Sequence, residues 1–309
     1  ADRKLSLRFF SKTQGLSLVT EEYKMLTRRK FSLFAIATLG SPNFAFAAGN
    51  PAIADDELPP LPKDLLDAAG EEDFFSLQLE STALGTADPG KARKEMALAI
   101  LDAAPKDCRP IEVAFYFRDL GQGKTSFGEE GRPFARGWPR IYNPLIIEFF
   151  KVTGLNPLAP GLGGDATPWC AAFVNYCIAR AVSKNGKVGP AELAKGTNSA
   201  SSGSFRCFGN ALPAGSDPKE GDIAVWALAG TLNACKPGSG HVGFFVGHTK
   251  DDRSPPYFVV GGNQGGDLVE GVATRKDGVF LKKLPEKYLA ERNPPRYKEF
   301  LSFRTASYL

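Results

Sequence analysis

A cysteine at the start of a helix is among the side chains best suited to act as a nucleophile. The run Thr167-Pro168-Trp169-Cys170-Ala171-Ala172-Phe173-Val174-Asn175-Tyr176-Cys177 offers one. Thr167 is a good N-cap type and Pro168 suits the first helical position, so a helix is expected over 168–181 with Cys170 at its third position. Free amides and the positive end of the helix dipole would surround the sulfur there. Such surroundings favour thiolate over thiol, and thiolate is the reactive form. A buried, inert cysteine at a helix start is the competing reading of the same residues. Cys177 falls on the same face two turns deeper, bordered by Val174 and Ile178, and reads as core.

A thiol nucleophile needs a base and a group that orients the base. The chain holds two histidines, His241 and His248. Side chains alternate along a strand, so a single regular strand would turn them to opposite faces. His248 adjoins the charged run Thr249-Lys250-Asp251-Asp252-Arg253, whereas His241 opens an apolar strand after Gly238-Ser239-Gly240. His241 is therefore the candidate base, with a structural histidine as the alternative. If the strands at 241–247 and 257–263 form a hairpin with Gly247 opposite Tyr257, His241 faces Asn263, within reach of a hydrogen bond. A slip of one residue would bring Gly262 or Gln264 there instead, and GGNQ as a plain turn is also open.

Positioning these groups requires helices and then strands. Helices are expected at 91–104, at 143–153 with Pro144 just inside its start and Gly154 after its end, and at 168–181. Strands are expected at 222–226, 241–247, 257–263 and 279–281. Helices followed by a run of strands indicate an α+β fold with an antiparallel sheet. The 33 glycines and 23 prolines fit a loop-rich mixed fold rather than a helical bundle.

Charge divides the chain into three parts. Residues 1–47 carry eight basic and three acidic side chains, residues 48–90 ten carboxylates and one lysine, and residues 91–309 a net +8. A leader at 1–47, an acidic linker or pro-segment at 48–90 and a folded domain at 91–309 follow from this. Within the leader, Arg28-Arg29 precedes an apolar run from Phe31 to Leu39, and Ala45-Phe46-Ala47 offers a peptidase site. This is the layout of a cleaved secretory signal of the twin-arginine kind, starting at Met25, with no lasting membrane insertion. The acidic segment reads as a spacer or as a brake lying on the basic domain. No nucleic-acid motif accompanies the basic charge. Five cysteines without a CxxC pair do not make a zinc ligand set. An exported chain permits a disulfide, for which Cys207 and Cys235 are the candidates.

TPWCAAFVNYC at 167–177, GDIAVW at 221–226, GHVGFFVG at 240–247 and GGNQ at 261–264, in this order, resemble the CHAP and NlpC-type cysteine hydrolases. The likeness covers about residues 140 to 270. It implies a papain-like fold with the nucleophile helix packed on an antiparallel β-sheet, and hydrolysis of peptidoglycan amides with no metal or organic cofactor; the leader makes the expected location periplasmic or secreted, and a monomer is expected. Residue by residue it implies Cys170 as nucleophile, His241 as base and Asn263 as the polar third group. Trp169, Trp226 and Gln264 are candidates for the substrate groove, with core packing the alternative for the two indoles. Many CHAP members carry a glutamate two positions before that asparagine, and here Gly261 stands there. A protein-directed protease, a secreted toxin and a catalytically inactive wall-binding module are the other functional classes. If the twin-arginine reading holds, Arg28→Lys with Arg29→Lys retains the protein in the cytoplasm, which fractionation of expressing cells measures.

Overall fold

The computed structural model describes residues 86–138, 141–213, 215–230, 238–248, 257–264, 277–292 and 295–306. The leader, nearly all of the acidic segment, and Cys235 lie outside the described residues. The described part is an α+β fold of helices against one antiparallel sheet. Its longer helices are α1 (Lys91–Ala103), α2 (Pro110–Gly121), α3 (Pro144–Phe150) and α4 (Cys170–Val182). Its strands are β1 (Asn210–Ala211), β2 (Ile223–Leu228), β3 (Gly240–His248), β4 (Tyr257–Gln264), β5 (Gly278–Leu284), β6 (Lys287–Arg292) and β7 (Pro295–Thr305). They pair in the order β1-β7-β2-β3-β4-β5, with β6 also on β7. Helix α2, the β6–β7 hairpin and β1 are not anticipated by the sequence reading. Among the described residues no helix is long and apolar enough to cross a membrane.

Helix α4 is surrounded: every residue from Cys170 to Ala181 is buried. It packs against α2, α3, β3 and β4. Alternation along the strands separates two faces. Ile223, Val225, Val242, Phe244, Phe258 and Val260 join the helix-side core, while Ala224, Trp226, Phe245, Val259 and Phe303 form a second cluster on the other face. Around the start of α4 the rings of Phe149 and Phe173 lie 6.1 and 6.2 Å from Trp169, and Phe117 is 5.1 Å from Phe149. Each such ring, fully buried, contributes on the order of 2–3 kcal/mol. Asn143 caps α3 by accepting from the Leu145 amide at 2.9 Å, as Pro144 in the first turn allows.

Polar side chains fix the other end of α4. Arg180 is buried at 3% exposure. Its guanidinium donates to the carbonyls of Asp102 (2.7 Å), Ala104 (2.5 Å), Pro105 (3.3 Å) and Gly186 (2.5 Å), tying the end of α4 to the end of α1. Asn175 donates to the Ala171 and Ser199 carbonyls and accepts from the Thr197 amide at 2.7 Å, holding the 197–199 segment on the helix. Removing a buried partner leaves several carbonyls desolvated and unpaired. Arg180→Met is therefore expected to lower unfolding stability by roughly 3 kcal/mol, measured by urea titration, without changing which residues surround Cys170.

Candidate active site

Helix α4 begins at Cys170 itself, two residues later than expected. Gly164–Ala166 forms a separate 3-10 turn, Thr167 leaves it in extended conformation, and Trp169 is the N-cap without a side-chain cap bond. Thr167 thus does not cap the helix, and its Oγ1 is buried without a partner among the described residues. The backbone amides of Cys170 and Ala171 bond the cysteine sulfur instead, and so does the amide of Val242. The third bond joins α4 to β3. The β3–β4 ladder ends at Phe244–Val260, so the Val242 amide lies beyond it.

The residue before Val242 is His241, so the stretch of β3 that meets Cys170 also carries the expected base. Both are 4% exposed. The imidazole lies on the second-cluster face, opposite Trp226 in the β2–β3 ladder, with ring centroids 6.2 Å apart. Its Nε2 is buried without a hydrogen-bond partner among the described residues. His248 is also in β3, but a register shift between Phe245 and Gly247 breaks the strict alternation, and the His248 ring stacks on Phe245. Distance disqualifies it: seven residues of strand span about 23 Å.

The expected hairpin register holds at the site end and fails at the turn end. Gly247 pairs with Phe258 and His248 with Tyr257; past the shift, Phe245 pairs with Val259 and Phe244 with Val260. Extending that register would set Asn263 opposite His241. However, β4 is irregular between Gly261 and Gln264 and Asn263 has φ +56°. Among the described residues no hydrogen bond joins Asn263 to His241. Gln264 has the better claim to that position. Its Nε2 lies 2.5 Å from where a Cβ on Gly261 would sit and 3.5 Å from one on Gly243, on the face of β3 that carries His241. Gln264 is 4% exposed, and both atoms of its amide lack partners among the described residues. The glycines of GGNQ make this packing possible, since a Cβ on Gly262 would overlap the Trp169 ring.

Trp169 and Trp226 are core rather than groove walls, each 0% exposed. Trp169 Nε1 donates to Asp277 at 2.9 Å and Trp226 Nε1 to the Pro285 carbonyl at 3.0 Å. Cys177 is also fully buried, and burial pushes its thiol well up. Cys207 is disulfide-bonded and Cys108, Cys170 and Cys177 are free thiols; Cys235, the partner expected for Cys207, lies outside the described residues. No group of His, Cys, Asp and Glu suited to a metal ion occurs among the described residues.

Two residues that the sequence reading does not single out complete the surroundings. Lys298 of β7 pairs across the ladders with Leu228 and with Tyr288 of β6, and its ammonium is 5.9 Å from the Tyr288 ring centroid. Tyr288 in turn packs 6.4 Å from Trp226. Burial pushes the Cys170 thiol up, outweighing the Lys298 ammonium and the three amides that favour thiolate. Burial, aided by Lys298, lowers the His241 imidazole from 6.5 to about 3. The resting pair is neutral thiol and neutral imidazole.

Comparison with protein-family models, curated proteins and solved structures finds no match for this chain.

The depressed imidazole has a stability consequence. Between pH 6.5 and about 3 the unfolded chain binds a proton that folded His241 refuses. Stability contributed by the neutral ring is thus complete above pH 6.5 and falls as pH drops through this window, by about 1.4 kcal/mol per pH unit. Urea titrations at pH 7 and pH 5 should show a larger acid loss in wild type than in His241→Asn.

Proposed function

We propose that the protein is a cysteine-dependent hydrolase of papain-like fold that cleaves amide bonds of bacterial peptidoglycan through an acyl-enzyme on Cys170. The observation that carries this reading is the position of the sulfur: at the first residue of a buried helix, bonded by the Val242 amide, against the β3 stretch that carries His241. The choice of peptidoglycan rests on the resemblance of the four motifs to CHAP and NlpC-type hydrolases, and export to the periplasm or beyond rests on the twin-arginine-type leader.

In this reading the Cys170 thiol gives its proton to His241 as the sulfur attacks the scissile carbonyl carbon. Because both groups rest neutral, proton transfer accompanies attack instead of preceding it. The tetrahedral oxygen forms beside the amides of Cys170, Ala171 and Val242, which already point at the sulfur and serve as oxyanion donors. The imidazolium returns its proton to the leaving amine, and water, deprotonated by the same ring, hydrolyses the thioester. Gln264 orients the imidazole or the incoming water with an amide that has no other partner among the described residues.

Digestion of purified peptidoglycan, with fragments identified by mass spectrometry, tests the reading and reveals the bond cut. Cys170→Ala should lose at least about a thousand-fold in rate with an unchanged circular dichroism spectrum. Cys177→Ala should keep the activity and lose only stability. A Cys170→Ala variant as active as wild type would remove the mechanism.

A further inference from the structure

The β6–β7 hairpin brings a cation to the site without bringing the carboxylate that would neutralise it. Along this hairpin Lys287 faces Glu299 and is ion-paired with it at 2.7 Å, while Glu286 accepts from the Tyr257 hydroxyl at 3.1 Å. Lys298, one residue from Glu299 and on the opposite face, has no carboxylate partner among the described residues. Its described neighbours are the Tyr288 ring and, across β2, Leu228. That face is the one bearing Trp226 and His241, and Trp226 touches both the His241 and Tyr288 rings. Lys298 is only partly buried.

Taking Cys170 as the attacking thiol, we infer that Lys298 is a specificity residue that binds a free carboxylate of the substrate, so that the site selects acidic peptide chains over neutral ones. The site otherwise offers a neutral thiol, a neutral imidazole and a neutral amide, and Lys298 is the charged side chain on the His241 face of the β6–β7 hairpin. A carboxylate replaces water on an ammonium already held against an aromatic face, and the pair forms in partly water-excluded surroundings where it counts for more than at an open surface. The electrostatic influence of Lys298 on both Cys170 and His241 agrees with this placement.

The test compares two alkylating reagents of nearly equal size, iodoacetate and iodoacetamide, with modification of Cys170 followed by peptide mass spectrometry. Dividing one rate by the other cancels changes in thiol ionisation and leaves the effect of reagent charge. The iodoacetate-to-iodoacetamide ratio should fall on the order of five-fold in Lys298→Met, stay near wild type in Lys298→Arg, and shrink in wild type as salt rises. A ratio that is the same in Lys298→Met and wild type overturns the inference. In a second arm, wild type should digest native peptidoglycan faster than the same material with its peptide carboxylates amidated, and Lys298→Met should not distinguish them. Equal wild-type rates on the two also overturn it. If wild type digests neither, yet the reagent ratio depends on Lys298, the hydrolase reading fails and the anion site stands.

Discussion

The hydrogen bond from the Val242 amide to the Cys170 sulfur lies where a helix start must meet a strand beyond the end of its ladder. Much of the surrounding structure serves that meeting. The ladder between β3 and β4 ends early because β4 departs from regular pairing at Gly261–Gln264. Trp169 sets the depth of the helix by resting on Gly262, where no other residue would fit. Phe117 and Phe149 pack on Phe173 of the helix, and Arg180 anchors its far end. The bond is weak in itself, since sulfur is a poor acceptor; its position is determined by packing that buries whole aromatic rings.

Electrostatics at this junction is a contest between solvation and fixed dipoles. Three amides and an ammonium favour charge on the sulfur, and removal from water opposes it more strongly. The same removal keeps the imidazole neutral. A thiol of this kind is pre-positioned rather than pre-ionised. Its donors are already aligned when negative charge develops, which is the condition under which they help most.

Part of this was legible in the residues. Pro144 and Asn143 mark a helix start, the composition of Lys91–Ala103 marks another, three apolar strand runs appear within two residues of where they lie, and a fourth, at 279–281, falls inside the longer Gly278–Leu284. The α2 helix escaped because Ile111, Val113, Phe115, Tyr116 and Phe117 are β-formers by propensity; its burial against α4 overrides that preference. Strand β7 escaped because Arg296, Lys298, Glu299 and Arg304 give it the look of a polar loop, although it pairs with the most buried strand of the sheet. Lys298 went with it. Cys170 and His241 were readable as residue types at telling positions. The distinction between Asn263 and Gln264 was not, because a bulge changes facing by one residue and nothing in GGNQ says where it falls.

The complete burial of Cys170 also bears on the chemical lifetime of the protein. Peroxide and disulfide reagents attack thiolate, and they must reach it. A sulfur that rests as neutral thiol and is only 4% exposed meets both conditions slowly, whereas Cys207, already in a disulfide, has no thiol to lose. The packing that makes the Cys170 thiol slow to ionise therefore also makes it slow to oxidise.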